Sequence, residues 1–147
     1  MVLKMALDMF LEKGTPLFII KDKSGQTIYW SEGQPLTRLA TVVLIDDNSS
    51  SASEVAASAL QENNRATIVG KKSSGAVGAG RNFELSHEAA MLVTTAQVFT
   101  SQGKKLEKEG VTPDVIVELK KEDVAQGKDG QLEKAIEVLK ERIFKEY

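Results

Sequence analysis

Cysteine is absent from the 147-residue chain, which excludes disulfides, thiolate metal sites and a cysteine nucleophile. Histidine occurs once, at His87, so no metal site built from several histidines can form within the chain. A histidine base drawn from this sequence would have to be His87. An excess of charge of one sign is also missing. Nineteen Lys+Arg stand against 21 Asp+Glu, a net charge of −2, without the basic surplus of a nucleic-acid-binding surface. No apolar run approaches the roughly 18 residues of a membrane helix. At the N-terminus, Lys4, Asp8 and Glu12 interrupt what could otherwise pass for the apolar region of a signal peptide. What is present is ordinary for a globular domain: 41% apolar and 27% charged residues. A chain of this length buries roughly 68–70% of its unfolded surface, enough for one domain with a real core.

Hydrophobic spacing lays out the elements. Val2, Met5, Ala6, Met9 and Phe10 recur at helical intervals over 2–13, and Gly14 follows as a helix stop. Residues 16–22 and 27–30 read as strands around a Ser24-Gly25 turn, and 31–38 as a polar connection. The apolar, β-branched run 41–46 suits a central strand covered on both faces. Ser51-x-x-Glu54 has the form of a capping box, so a helix begins near Ser51 and turns Val55, Ala56, Ala59 and Leu60 inward. With a strand at 66–69 this makes a parallel βαβ unit. Residues 70–80 hold four glycines and read as a loop of low stiffness. Segments 81–85 and 91–100 form a hairpin around 86–90, and 115–119 is a last strand. Residues 130–146 form an amphipathic helix with Leu132, Ala135, Ile136, Leu139 and Ile143 on one stripe.

The serine cluster at the strand-to-helix turn carries the most chemistry. A serine there has helix N-terminal N–H groups beside it that can stabilise an oxyanion, which suits acyl transfer; the same spacing also serves a plain helix cap. The glycine loop fails the phosphate-binding and dinucleotide patterns, because Arg65 and Lys72 stand where the first needs glycine and hydroxyl residues and Phe83 where the second needs a small one. Asp46 and Asp47 lie at a strand's C-terminal end, where they serve the turn before the serines. His87 falls in the hairpin turn and the Asn48-Ser49-Ser50 sequon abuts a core strand, so neither is assigned a role.

The order of short motifs carries more. Ser51-Ala52-Ser53-Glu54, Ala56-Ala57, Leu60-Gln61, Arg65-Ala66, Val69-Gly70, Leu92–Ala96, Phe99-Thr100 with Gly103, and Gly110-Val111-x-Pro113-Asp114 follow one another. In this order they resemble the carboxyl-terminal processing (tail-specific) proteases over about residues 3–118. The resemblance implies an α/β fold with a crotonase/ClpP-like β-β-α core, mixed sheet and flanking helices. It implies serine-type endopeptidase chemistry on a polypeptide substrate, without cofactor, metal or nucleic acid, in a parent protein exported to the periplasm or cell envelope; membrane association is left open. Residue by residue, Ser51 takes the nucleophile's place and Ala52 N–H that of an oxyanion donor.

Departures from the pattern are equally specific. The family's lysine base falls on Ala76 and its helper glutamine on Gly80. Alanine cannot accept a proton, so the Ser–Lys dyad cannot form at that position; Lys71 and Lys72 share the loop but not the motif. In the related tricorn-like, lysine-less branch the base is a histidine from an upstream segment, assisted by a glutamate that falls on Glu107. The family's upstream glycine segment and PDZ-like domain have no counterpart here, so the expectation is a partial peptidase core cut from a longer protein and inactive alone. Two alternatives stand: a non-catalytic peptide-binding module with a degenerate protease fold, and a structural α/β domain in which Ser51 is only a cap.

Overall fold

The computed structural model describes residues 2–87, 89–119, 122 and 125–146, with the side chains of 145 and 146 left out. Two sheets organise it. β1 (Pro16–Asp22), β2 (Gly25–Trp30), β5 (Gly78–Glu84) and β6 (Ala90–Thr100) form an antiparallel sheet in the order β2-β1-β6-β5. β3 (Val42–Ile45), β4 (Thr67–Gly70) and β7 (Val115–Ile116) form a parallel one in the order β3-β4-β7. Both pairing types of the expected α/β architecture are therefore present, divided between two sheets. Helices α1 (Val2–Asp8), α2 (Ala52–Glu62) and α3 (Gly130–Glu146) complete it. No helix among the described residues is long and apolar enough to cross a membrane.

The predicted βαβ unit is formed: β3 and β4 pair in parallel from Val42↔Thr67 to Ile45↔Gly70, with α2 between them in sequence. The central strand, however, is β4, where Ile68 and Val69 are wholly buried. β3 lies at the edge among the described residues and exposes Leu44, so its apolar run is not covered on both faces. At the β3–β4 contact Gly70 has φ 130°, and a Cβ there would overlap the Ile45 carbonyl oxygen; only glycine lets these backbones meet.

α2 supplies the inner layer. Val55, Ala57, Ala59 and Leu60 are buried with Leu7, Leu17, Phe18, Val98 and Leu106 in one cluster. Small residues on α2 let the helix lie close to the antiparallel sheet, and β-branched and aromatic side chains fill the remaining volume.

Three further sequence expectations are corrected. The first helix ends at Asp8 rather than 13, and it buries Leu7, with Leu11 beyond it. Val2, Met5 and Met9 face outward. Two apolar stripes compete on this segment, and the one carrying the leucines wins the core. In α3 the buried residues are Gln131, Ala135 and Val138, whereas Leu132, Ile136 and Ile143 are exposed. In this rotation Ala135 and Val138 pack on Val69, and Arg142 donates to Thr67 Oγ1 at 2.8 Å. Finally, the glycine-rich stretch is not all loop: Gly78, Ala79 and Gly80 belong to β5. A Cβ on Gly80 would press on Leu92 and the Val93 carbonyl across the hairpin, which is why a small residue serves there.

Candidate active site

The site begins with the turn between β3 and α2. The Asp46 carboxylate accepts from Asn48 N–H at 3.0 Å, Ser49 N–H at 2.9 Å and Ser49 Oγ at 3.0 Å. The hydroxyl bond from Ser49 and then the Asn48 amide hold its pKa below the usual carboxylate value against a smaller opposing effect of burial. Asp46 thus builds the turn, as the sequence suggested. Two residues past Ser49 the backbone takes an unusual course: Ser51 has φ 56° and ψ −120°. A side chain other than glycine is disfavoured there at about 1–3 kcal/mol. The same kind of tight strand-to-helix turn lifts a nucleophilic serine clear of its surroundings in other α/β enzymes.

Ser51 is pinned by its own backbone. Its N–H donates to the Ala76 carbonyl at 3.0 Å and to Glu54 Oε2 at 2.9 Å, and its carbonyl accepts from Glu54 and Val55 N–H at 3.1 and 3.2 Å. Ser51 and Glu54 have the reciprocal placement of a capping box, with the Glu54 half closed as a hydrogen bond. The Ser51 hydroxyl makes no hydrogen bond to the helix end, and the residue is exposed. Next to it, Ala52 opens α2, and its N–H is one of the first-turn amides that lack a helical acceptor.

Glu54 organises the rest. It is fully buried and accepts four hydrogen bonds: from Ser51 N–H and Ala76 N–H (3.1 Å) on one oxygen, and from Ser73 Oγ (2.6 Å) and Gly75 N–H (2.7 Å) on the other. Ser73 Oγ in turn accepts from Val111 N–H at 2.7 Å. The segment 71–77 is therefore not slack, as its glycine content suggested. A buried carboxylate ties it to α2, and Glu107 ties its end by accepting from Val77 N–H at 2.9 Å. The sequence reading recognised Glu54 as a capping residue but missed this wider role. Its signal was available: a glutamate on the inward side of a small-residue helix must find donors.

An apolar pocket of about 320 Å³ opens beside the turn. Phe18, Ile20, Tyr29, Val55, Val77 and Val98 wall it, and Ser51 and Ala52 reach into it. Phe18 and Tyr29 stack at 4.6 Å between centroids.

Proton acceptors are distributed less favourably. Ala76, where the lysine of the resembled pattern would stand, touches Ser51 through its carbonyl but carries only a methyl group. Lys4 lines the same pocket, a position the sequence reading did not single out. Its Nζ is held between Asp8 at 2.9 Å and Glu32 at 3.0 Å. These bonds, Asp8 first, raise its pKa and keep it protonated. Lys71 is likewise bound by Asp47 at 2.7 Å, with its pKa raised by that bond. Lys72 lines a different cavity, alongside Lys104 and Lys105. His87 sits exposed in the β5–β6 turn with φ 64°. Gly80 lies within β5, opposite Thr94.

Comparison with known proteins places the chain in a family. The model of peptidase family S41 matches residues 3–117. The carboxyl-terminal-processing protease of Synechocystis sp. is 33% identical over 110 residues, 75% of this chain and 26% of that protein. Among solved structures, the photosystem II D1 C-terminal processing protease aligns with a TM-score of 0.71 at 31% identity, over 79% of this chain and 30% of its own. A lipoprotein from Streptococcus agalactiae shares the fold, with a TM-score of 0.72 at 18% identity over 96% of this chain and 49% of its own. The chain thus spans about a quarter of the curated relative's length.

Proposed function

This chain belongs to peptidase family S41, and we propose that it is the nucleophile-bearing part of a serine-type endopeptidase of the carboxyl-terminal processing kind. The observation that carries the reading is the backbone of Ser51, an exposed serine held at φ 56° beside an apolar pocket when any relaxed turn could have capped the helix. Strain of this kind persists where it serves a function.

The chemistry follows from the placement. An extended polypeptide sets an apolar side chain in the pocket, and its scissile carbonyl lies over Ser51. Ser51 Oγ attacks the carbonyl carbon as a base takes the hydroxyl proton. The tetrahedral oxyanion is stabilised by Ala52 N–H. The C–N bond then breaks, the amine leaves with a proton, and water hydrolyses the Ser51 ester. Ala76 cannot serve as the base, and Lys4 and Lys71 are held protonated by carboxylates. The base is therefore supplied from outside the positions that match the family pattern, with Glu107 as an assisting acid. Lack of a general base costs roughly 10²–10⁴-fold in rate, so this chain by itself works close to background.

The second reading, a peptide-binding module without turnover, is favoured by Ala76 and Gly80 standing at the base and helper positions. Acylation discriminates between the two, because an activated ester needs no protonation of its leaving group, and the Ala52 amide and the apolar pocket still favour slow attack by Ser51 over other serines when the base is missing. The chain is treated with p-nitrophenyl butyrate and the modified residue is mapped by mass spectrometry. Butyrylation concentrated on Ser51 and absent in Ser51→Ala is the expected result. Acylation spread over surface lysines, with Ser51 unmodified, would remove the peptidase reading.

A further inference from the structure

The apolar pocket beside Ser51 is one end of a longer trough. Ile20 and Tyr29 line both this pocket and a second depression on the same sheet. Asp22, Arg81 and Thr95 line both that depression and a third, at the β1–β2 turn and the β5–β6 hairpin. Register explains the continuity. Phe18, Ile20 and Asp22 share one face of β1, opposite Tyr29, Thr27 and Gly25 of β2. Ala79 and Arg81 share this face by the alternation of β5, while β6 inserts Thr95 between Ala96 and Thr94 and so brings Val93, paired with Arg81, onto it. Strand β5 thus runs from Gly78 at the Ser51 pocket to Arg81 at the far end, three residues or about 10 Å along an extended chain.

The trough is apolar near Ser51 and charged at its far end. There Asp22 already accepts from Ser24 N–H at 2.8 Å. Arg81 makes no hydrogen bond or ion pair among the described residues, and Lys23 stands beside it. A guanidinium offers five donors in a fork that fits a carboxylate in two-point contact. We infer that Arg81 forms a carboxylate subsite, which selects extended peptides carrying an acidic group about three residues from the apolar residue held beside Ser51. The carboxylate can come from an acidic side chain or from the peptide's own C-terminus. This inference builds on Ser51 as the acylated residue, since that fixes which end of the trough anchors the peptide.

Binding to the 147-residue chain tests it without turnover. The probes are fluorescein-labelled decapeptides with one leucine anchor in an Ala/Ser background, and glutamate or glutamine two, three or four residues away on either side. A further pair ends three residues past the leucine as a free acid or an amide. Fluorescence anisotropy should show the glutamate peptide at the three-residue spacing binding about 5–20-fold more tightly than its glutamine twin, with a preference that falls as salt rises. Arg81→Gln should abolish the preference and leave the glutamine peptide's affinity unchanged; Arg81→Lys should restore part of it. The free-acid and amide pair tells the two carboxylate sources apart. Equal binding of the twins, a preference that survives Arg81→Gln, or no binding of any peptide overturns the subsite. Ser51 butyrylation is read in parallel on the wild-type chain. If Ser51 is not acylated while the Arg81-dependent preference holds, the peptidase reading fails and the subsite stands. If Ser51 is acylated and the preference is missing, the subsite alone fails.

Discussion

Replacing Glu54 by glutamine tests the arrangement that holds the candidate site together. One carboxylate oxygen of the wholly buried Glu54 accepts from Ser73 Oγ and Gly75 N–H, both buried, the other from Ser51 N–H and Ala76 N–H at the edge of solvent. A glutamine keeps one acceptor oxygen and turns an NH2 group toward the other two donors. Two hydrogen bonds to a charged group are lost, each worth about 1.5–3 kcal/mol, and two buried donors face a third. The losses are not additive, because the segment 71–77 can shift to let water in. An overall cost of about 2–4 kcal/mol is expected, a large share of the roughly 5–15 kcal/mol that holds a domain together. For a chain near 150 residues each kcal/mol lowers Tm by about 2–4 °C, so Glu54→Gln should melt roughly 5–15 °C below wild type. Amide exchange should locate the damage at Gly75, Ala76 and Ser51 before it reaches β4. Ser73→Ala, which removes one of the four donors and leaves the carboxylate in place, should cost less than half as much. A Tm within 2 °C of wild type, with protection at Gly75 and Ala76 intact, would refute the claim that this carboxylate organises the site.

Other outcomes follow from single residues. Ser51→Gly relieves the φ 56° backbone and should raise stability by about 1 kcal/mol after the entropy that glycine costs, whereas Ser51→Ala, which keeps its Cβ, should not; equal melting of the two variants would mean that the turn is unstrained. Asp46 has its pKa lowered on folding from 3.8, so its contribution is fully present above that value and lost as pH falls through the lower folded value. Acid titration below pH 3.8 should therefore destabilise wild type more than Asp46→Asn, and parallel titrations would contradict the assignment. Gly70→Ala places a methyl group on the Ile45 carbonyl oxygen at φ 130° and should cost more than 2 kcal/mol in urea unfolding. Ala76→Lys places an amine on the residue whose carbonyl accepts the Ser51 N–H and should raise Ser51 butyrylation about 10²-fold or more; a rate unchanged from wild type would show that residue 76 does not face the hydroxyl.

Local pattern and tertiary competition separate what the sequence could tell from what it could not. The βαβ unit was legible because a β-branched run, a serine-led helix of small residues and a second β-branched run follow one another at lengths that leave few other solutions. The orientation of α1 and α3 was not. Each helix carries two apolar stripes, and spacing alone cannot say whether Leu7 or Met5, Val138 or Ile136, meets the core. In α3 the choice goes with contacts far along the chain, Ala135 and Val138 on Val69 and Arg142 on Thr67, the last between residues 75 positions apart. The β5 boundary was missed for a similar reason: Gly78–Gly80 reads as flexible until the partner strand, with Thr94 and Leu92 pressed against it, supplies a reason for residues without bulk.

The candidate site shows the same division at closer range. The Ser51–Glu54 spacing pointed to the right turn, but it fits a relaxed cap and a strained elbow alike; φ and ψ decide between them, and neither is encoded within four residues. They are set by Ala76, whose carbonyl takes the Ser51 N–H, and by Glu54, which holds both segments. That contact also gives the substitution at 76 its meaning. Residue 76 lies against the serine through its backbone carbonyl, which takes the Ser51 N–H. Under the proposed reading the methyl group of Ala76 offers no proton acceptor where the resembled pattern has one, while the turn, the Ala52 amide and the apolar pocket are all present. A chain that had lost all use for its serine would be under no constraint to keep Ser51 at a cost of about 1–3 kcal/mol of backbone strain. Under the proposed function, a strained Ser51 turn together with alanine at 76 is the combination expected when the base comes from another segment, and it is the reason the peptidase reading is preferred to the binding module.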